Sequence, residues 1–160
     1  MEARNEDCIV IRSARIDDWE NVKKLAWNTF LKYEAEDYGV EGTRSFREFL
    51  DDEKLHRMFL LGEYIVFIAT YKDELLGMIS LRSQNHISLL FVAEHFQHMG
   101  IGSALIRWAE HYLHKDMGED KITVDAAPYA VEFYHGLGYQ DVDVERCIDG
   151  IRFTSMEKIF

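Results

Sequence analysis

Three apolar segments in the middle of the chain, separated only by short polar turns, restrict its fold more than any other feature of the sequence. Residues 64–71, 75–82 and 86–92 are rich in β-branched and aromatic side chains, as strands are. Strands joined by such short turns pair in antiparallel fashion, because a parallel pair needs a crossover of roughly a dozen or more residues. The sequence therefore predicts an antiparallel three-stranded meander.

A long amphipathic helix follows the meander and predicts a different kind of connection. It spans residues 102–117 and ends at Gly118, and the strand pattern of residues 121–126 comes directly after it. A helix that joins two neighbouring strands makes them parallel, so residues 86–92 and 121–126 are expected to be parallel neighbours. The buried stripe of this helix is predicted to consist of Ile101, Leu105, Trp108, Ala109 and Tyr112.

The remaining segments complete a mixed sheet covered by helices. The chain has one proline and no linker-like stretch, so residues 1–160 are expected to form a single domain. We predict the α/β (α+β) class, with a mixed, mostly antiparallel sheet flanked by about four helices. The further predicted elements are a strand at 8–13, helices at 17–36, 43–50 and 128–137, a charged loop at 51–57, and strands at 142–148 and 151–158 joined by an Asp149-Gly150 hairpin turn.

The excess of acidic side chains argues against nucleic acids and anionic membranes as binding partners. With 18 basic and 29 acidic side chains the net charge is −11, whereas nucleic acids and anionic membranes select basic surfaces. We therefore expect no nucleic-acid partner and no membrane. A cationic small molecule or peptide is compatible with such a surface.

The number of cysteines and the hydropathy of the chain indicate the cellular compartment in which the protein is expected. Cys8 and Cys147 are too few for a disulfide framework and are expected to be half-buried thiols in a reducing compartment. The acidic start of the sequence lacks the apolar stretch of a secretory signal, and the longest apolar run is too short to span a bilayer. A cytoplasmic location is the expectation.

The turn between residue 92 and the long helix carries the strongest functional signal. Gly100 and Gly102 open this helix, whose first N–H groups have no intrahelical partner and lie at the positive end of the helix dipole. Glycines there allow a diphosphate to approach the backbone closely. A tight strand-to-helix turn without a ligand is the alternative, because two glycines spaced by one residue are weak evidence by themselves.

Two motifs in this half of the chain resemble those of one enzyme family. Gln97-x-x-Gly100-x-Gly102, following a strand, is similar to the acyl-CoA-binding motif of the GNAT N-acetyltransferase superfamily. Residues 124–139, which contain Tyr134, resemble the family's fifth strand and the helix after it. The resemblance implies a sheet whose parallel fourth and fifth strands splay apart, with acetyl-CoA (CoA) as the acyl donor and no metal.

The resemblance also implies which residues bind CoA and which one protonates the leaving thiol. Backbone N–H groups near Phe91 or Val92 would polarise the thioester carbonyl. Tyr134 matches the family's general acid, with a purely structural core aromatic as the alternative. The implied cofactor-binding residues are Leu90, Phe91, Val92, Gln97, His98, Met99, Gly100, Ile101, Gly102, Ser103 and Asp125.

The proton acceptor for the amine has two sets of candidates. The fourth strand offers His86, whose imidazole suits a general base, with a plain surface position as the alternative. Glu34, Glu36 and Asp37 could instead line the acceptor pocket and attract a cationic amine. Asp125 stands where relatives often carry Asn, and it is expected either to cap the following helix or to bind an incoming ammonium.

The function predicted from these motifs is acetyl-CoA-dependent N-acetyl transfer to a primary amine of a small molecule or peptide, by direct attack on the thioester. A non-catalytic acyl-CoA-binding regulatory module on the same fold is the alternative. A metal site built from His95 and His98 or from His111 and His114 ranks lower, because no cysteine or carboxylate set completes it. Exposed strand edges near the C-terminal hairpin are compatible with a homodimer.

Overall fold

An eight-stranded sheet lies at the centre of the computed structural model, which describes residues 8–160. The strands are β1 (Val10–Ser13), β2 (Ile65–Tyr71), β3 (Glu74–Arg82), β4 (His86–Val92), β5 (Lys121–Ala126), β6 (Gln140–Asp141), β7 (Arg146–Ile148) and β8 (Ile151–Ile159). Their order across the sheet is β1-β2-β3-β4-β5-β8-β6, and β7 pairs with β8 at one end.

The pairing of the strands agrees with the fold class predicted from the sequence. All neighbouring strands are antiparallel except β4 and β5, which are parallel. The meander of β2, β3 and β4 is present, and β4 and β5 have the predicted bounds. The mixed, mostly antiparallel α/β sheet with a parallel central pair is confirmed.

Five helices pack against the sheet in the described part of the chain, namely α1 (Trp19–Tyr33), α2 (Ala35–Leu50), α3 (Glu53–Leu60), α4 (Ile101–His111) and α5 (Val131–Gly136). The extra helix is α3, and the prediction of a loop at residues 51–57 was wrong. Asp52 caps this helix by accepting a hydrogen bond from the N–H of Lys54 at 2.9 Å, and Leu55 is buried beneath it. The charged residues of this stretch form the outer face of an amphipathic helix.

The break between the first two helices is shorter than the sequence pattern indicated. α1 ends at Tyr33 and α2 already begins at Ala35, although a break was expected over residues 38–42. Within α2 the helical geometry is interrupted at Gly39, with a φ of 71° and a ψ of −173°, so the predicted break is present there as a kink. Glu34 therefore lies at a tight junction between two helices, which we call the α1–α2 junction.

The helix after the glycine turn is shorter than predicted, and its buried stripe differs. α4 ends at His111, and a π-helical turn over Tyr112–Asp116 takes the place of its expected last turn. Trp108 is 45% exposed, so its assignment to the buried stripe was wrong, whereas Ile106 is fully buried. Trp108 lies at the margin of the stripe, where the edge of its ring meets Phe67.

The C-terminal region also departs from the prediction in part. Two short strands, β6 and β7, replace the single strand expected at residues 142–148. Asp149 and Gly150, with φ values of 52° and 81°, form the expected hairpin turn. Cys8 and Cys147 are free and exposed rather than half-buried, since both lie outside the packed core.

Two predictions concerned a secretory signal at the start of the chain and a membrane-spanning segment, and the structure bears only on the second. The acidic segment of residues 1–7 lies outside the described residues. Over residues 8–160, none of the helices combines the length and the apolarity that crossing a bilayer requires.

Each face of the sheet carries its own hydrophobic core. α4 and α5 cover one face, with Leu105 and Ile106 fully buried in its core. α1, α2 and α3 cover the other face, where Trp19 and Phe30 are buried. The two layers of helices therefore bring the start of α4 and the α1–α2 junction to the C-terminal ends of β4 and β5, from opposite sides of the sheet.

Replacing Gly77 by alanine is expected to lower the free energy of unfolding by about 1–3 kcal/mol, because it overpacks the contact between β3 and α4. A Cβ atom there would lie 3.0 Å from the Phe91 carbonyl oxygen, 3.2 Å from Leu105 and 3.3 Å from Ile101. Urea unfolding measures the loss. Gly136→Ala is the control, since its Cβ meets nothing within 4 Å and alanine favours a helix. Equal losses in both variants would contradict the prediction.

Candidate active site

A cleft opens where β4 and β5 part from each other. The start of β4 pairs with the middle of β5 at only two positions, where His86 lies opposite Thr123 and Ile87 opposite Val124. β5 continues to pair with β8 as far as Ala126, and β4 continues to pair with β3 as far as Val92, so the two halves of the sheet diverge between β4 and β5. The remainder of β4 consequently has one free edge, which faces the C-terminal end of β5. The splayed parallel pair implied by the family resemblance is present.

A β-bulge at Ser88 marks the point where β4 leaves β5. In the ladder with β3, Leu89 pairs with Ser80 and Ile87 with Leu81, so Ser88 has no partner. The buried hydroxyl of Tyr64 lies 2.7 Å from the Ser80 hydroxyl and 3.0 Å from the Ser88 hydroxyl. This polar network inside the core holds the bulge in place.

The bulge also decides which backbone groups of β4 face the cleft. The N–H of Ala93 bonds to the carbonyl oxygen of Leu76 on β3. Because backbone groups alternate in direction along an antiparallel ladder, those of Phe91 point to β3 and those of Leu90 and Val92 point into the cleft. The Gln97 side chain donates to the carbonyl oxygen of Val92 and thereby ties the following turn to the strand end.

One cavity of about 1090 Å³ occupies the cleft. It extends from the start of α4 to the α1–α2 junction, and both helix layers contribute to its walls. Of the residues predicted from the sequence, His86 and Met99 do not line it, and Met99 is 61% exposed. The predicted residues that do line it are Leu90, Phe91, Val92, Gln97, His98, Gly100, Ile101, Gly102, Ser103, Asp125 and Tyr134.

The start of α4 forms a concave turn of backbone N–H groups at one end of the cavity. His98 and Gly100 both have positive φ, 62° and 79°, so the chain reverses sharply before the helix begins. No side chain caps the helix at Gly100, so its first N–H groups are left for a ligand. A Cβ at Gly102 would meet only Phe133 at 3.7 Å and Val92 at 3.8 Å, so the turn is open. This geometry suits an anion.

Tyr134 lies on α5 beside the cleft and is only 4% exposed. Its ring packs edge-on against Phe133 and Tyr139, with centroids 5.3 and 5.2 Å away. Among the side chains of residues 8–160 none forms a hydrogen bond with its hydroxyl. Burial first, and the negative charge of Glu34 second, raise the pKa of Tyr134, so the phenol is protonated at neutral pH.

Asp125 lines the cavity, and His86 lies behind it. Asp125 accepts a hydrogen bond from the Ser155 hydroxyl at 2.8 Å, and the helical turn that follows has no side-chain cap. The expectation that Asp125 caps that turn was therefore wrong. His86 has its Nδ1 2.7 Å from the Thr123 hydroxyl and its Nε2 3.6 Å from Asp125, and burial lowers the pKa of this imidazole.

Replacing His86 by asparagine is expected to change the activity that the sequence motifs predict by no more than a few-fold, because the imidazole stands outside the cavity wall. With its pKa lowered, His86 is neutral at pH 7, and a base of this kind would lose activity as the pH falls through that pKa. A profile of kcat/KM against pH tests the prediction. Disappearance of the acid limb in the variant would make His86 the proton acceptor.

The other end of the cavity holds a carboxylate among aromatic rings. Glu34 of the α1–α2 junction accepts a hydrogen bond from the Tyr129 hydroxyl, across the cleft. Tyr38 lines the same region, and burial raises its pKa to about 12. Glu36 and Asp37, which were candidates beside Glu34, are exposed and do not contribute to the cavity wall.

Sequence reasoning missed most of the aromatic residues of the cavity wall, and two of these, Tyr129 and Phe133, follow β5 in the chain. Both fall inside the motif of residues 124–139, so the motif was the only signal that could have identified them. Tyr129 follows Pro128 in a short 3₁₀ turn and is 62% exposed overall, although its hydroxyl is directed at Glu34. Within residues 8–160 there is no cluster of three histidine, cysteine or acidic side chains placed to hold a metal.

The shape of the cleft suits a particular kind of ligand. An anion-binding turn beside an unpaired strand edge matches a molecule in which a diphosphate is followed by an amide-containing arm, and coenzyme A is such a molecule. A fold and a cleft of this kind are typical of the class of CoA-dependent acyltransferases. The family model for the acetyltransferase (GNAT) domain matches residues 34–160, and the chain belongs to this family.

Solved structures share the fold of this chain. A GCN5-related N-acetyltransferase from Rhodopseudomonas palustris is 26% identical with a TM-score of 0.80, and the match covers 97% of this chain and 98% of that one. The PaiA N-acetyltransferase from Thermoplasma acidophilum, solved with coenzyme A, is 24% identical with a TM-score of 0.80 and coverage of 96% and 99%. A spermidine N-acetyltransferase chimera from Vibrio cholerae is 18% identical with a TM-score of 0.70 and coverage of 94% and 95%. No curated protein sequence matches significantly.

Proposed function

We propose that this chain is an acetyl-CoA-dependent N-acetyltransferase that moves the acetyl group to a primary amine of a small molecule or peptide, by direct attack of the amine on the thioester. One observation carries the proposal. A single cavity joins the anion-binding turn of α4, the free edge of β4, the hydroxyl of Tyr134 and a separate carboxylate-lined end. Donor and acceptor can therefore meet in it.

The residues that are present fit acetyl-CoA, which supplies an activated acetyl group. The N–H groups from His98 to Ser103 would hold the diphosphate, with the Ser103 hydroxyl as an additional donor. The backbone groups of Leu90 and the N–H of Val92 would pair with the amide-containing arm, since the carbonyl oxygen of Val92 already accepts from Gln97. An N–H of this free edge would also polarise the thioester carbonyl.

Tyr134 would supply a proton to the departing sulfur. Its hydroxyl is protonated at neutral pH, because burial and a nearby negative charge raise its pKa. The ring is fixed by aromatic neighbours, so little motion is needed to present the hydroxyl. These features favour an enzyme over a non-catalytic CoA-binding module on the same fold.

Release of free thiol from acetyl-CoA, measured against a panel of primary amines, tests the proposal. We expect amine-dependent thiol release and an acetylated amine in the mass spectrum. Calorimetry with CoA is run in parallel. Tight CoA binding without turnover on any amine would instead identify a regulatory module, and no CoA binding would overturn both functions.

Two further expectations accompany this function. The free, exposed cysteines fit a reducing compartment, so we propose that the reaction takes place in the cytoplasm. A second copy of the chain could pair near the C-terminal hairpin, where Val142, Val144 and Ile148 are exposed. Sedimentation of the free protein measures that association.

A further inference from the structure

Three carboxylates line the cavity, and two of them already have partners. Glu94 is ion-paired with Lys32, and Asp125 accepts from Ser155. The third is Glu34. Of the lining residues within 8–160, none is a lysine or an arginine, so the wall itself provides no strong cation for Glu34.

Glu34 is a half-buried carboxylate without a cationic partner in the described part of the chain. Its one side-chain hydrogen bond comes from the neutral phenol of Tyr129. Burial chiefly, and the charge of Asp37 in addition, raise its pKa, whereas the bond from Tyr129 lowers it. A partly desolvated carboxylate costs stability unless a positive charge compensates it. A partly buried carboxylate that lowers the stability of the fold in this way is typical of a ligand-binding site.

Titratable groups on three segments around the cleft interact with Glu34, whereas Lys32, the cation nearest to it along the chain, is ion-paired with Glu94. Asp37 and Tyr38 lie on α2, Tyr129 lies on the connection from β5 to α5, and Tyr134 lies on α5. All are acidic or neutral at pH 7, and several are aromatic. Aromatic faces and a carboxylate together form an environment for an ammonium ion.

We propose that Glu34 binds the ammonium group of the acceptor and accepts the proton that the amine must lose before it attacks. This inference rests on the proposed N-acetyltransferase function and names its acceptor class, a cationic primary amine without a carboxylate near the reacting nitrogen. Tyr129 is the positioning residue, because its hydroxyl fixes the carboxylate across the cleft.

The proton balance of the reaction follows from this assignment. The R–NH3⁺ group gives one proton to Glu34, and the free amine forms the new N–C bond to the acetyl carbon while the C–S bond breaks. Tyr134 gives its proton to the departing thiolate, and the second proton lost by the nitrogen restores the phenol. The products are the amide, free CoA thiol and one proton, which Glu34 returns to solvent.

The position of Glu34 also couples the two proton transfers. Its negative charge is one of the two causes that raise the pKa of Tyr134. When Glu34 takes a proton this charge disappears, and the pKa of Tyr134 falls. The phenol thus becomes a better acid after the amine has been deprotonated, which is when the thiolate needs its proton.

The central test replaces Glu34 by glutamine and compares it with Glu36→Gln, which removes the same charge from an exposed neighbour outside the cavity. We expect Glu34→Gln to lower kcat/KM about 100-fold, the lower end of general-base effects, and to remove the acid limb of its pH profile. Glu36→Gln should change neither. Equal behaviour of the two variants, or an acid limb that survives in Glu34→Gln, would overturn the inference.

Two controls separate this role from a structural one. The raised pKa means that the native state holds the Glu34 proton more tightly than the unfolded state, so ionised Glu34 destabilises the fold as pH rises through that pKa. Glu34→Gln should therefore keep or raise the Tm at pH 7.5. Tyr129→Phe, which removes the bond that lowers the pKa of Glu34, should shift the acid limb to higher pH. A lower Tm in Glu34→Gln or an unshifted limb in Tyr129→Phe counts against the role.

Binding measurements distinguish failure of this inference from failure of the proposed function. Calorimetry of the CoA-saturated protein with n-pentylamine should show binding that Glu34→Gln loses and Glu36→Gln keeps, and norleucine, which adds a carboxylate to the carbon that bears the amine, should bind more weakly. Such binding without turnover would support the ammonium site at Glu34 and contradict the proposed N-acetyltransferase function. Full turnover and full amine binding in Glu34→Gln would support the proposed N-acetyltransferase function and contradict the role assigned to Glu34.

Discussion

Replacing Tyr134 by phenylalanine is expected to lower kcat by about 10²- to 10³-fold, the effect of removing a general acid. The thiolate would then leave without a proton from the protein. The variant keeps the aromatic ring and its packing against Phe133 and Tyr139, so only the hydroxyl is lost. Single-turnover measurement of thiol release, under saturating acetyl-CoA and amine, isolates the chemical step.

The Tyr139→Phe variant is the matched control for this experiment. The Tyr139 hydroxyl donates to Glu110 at 3.0 Å, and Lys158 contacts the same carboxylate at 3.1 Å, so its loss weakens a partly buried network that joins α4 to β8 outside the cavity wall. We expect Tyr139→Phe to lower the Tm and keep kcat, and Tyr134→Phe to do the reverse. Unchanged turnover in Tyr134→Phe would reduce that residue to a packing aromatic.

The parts of the fold that depend on local pattern could be predicted from the sequence. β4 and β5 have the predicted bounds, because apolar runs between polar turns leave little freedom in their ends. The turn at Gly100 and Gly102 was predicted from its two glycines. Gly100 has a positive φ, which favours glycine, and the space beside Gly102 is open to a ligand. The cofactor end of the cavity follows largely from these two features.

The acceptor end depends on contacts that no local pattern encodes. Glu34 and Tyr129 are 95 positions apart in the sequence, and only the packing of both helix layers brings them together. The bulge at Ser88 is equally hidden, because it arises from the register of β3 against β4. Sequence reasoning could name Glu34 as one of three acidic candidates, but it could not separate it from Glu36.

The α1–α2 junction connects the two sides of the cleft. Lys32, at the end of α1, is ion-paired with Glu94 in the turn after β4. Glu34, two residues later, accepts from Tyr129 in the turn after β5. One short segment therefore contacts both walls of the opening, and one of these contacts fixes the carboxylate of the candidate proton acceptor.

Replacing Gly102 by aspartate is expected to weaken CoA binding by at least about 100-fold. Two like charges about 4 Å apart repel by about 4 kcal/mol at an effective dielectric constant of about 20, and about 1.4 kcal/mol corresponds to a tenfold change in Kd. The aspartate would occupy the first turn of α4, where we propose that the diphosphate binds. Calorimetric titration with CoA at fixed ionic strength measures the effect.

The same substitution should leave the fold intact, which separates loss of the site from loss of structure. A Cβ at Gly102 makes only ordinary contacts, and the first turn of α4 has no acidic residue at present. A carboxylate near a helix N-terminus contributes about 0.3–1 kcal/mol of stability, so the Tm should stay or rise. Gly102→Asn has nearly the same shape without the charge and should keep most of the affinity. Normal CoA binding by the aspartate variant would show that the diphosphate does not lie on this turn.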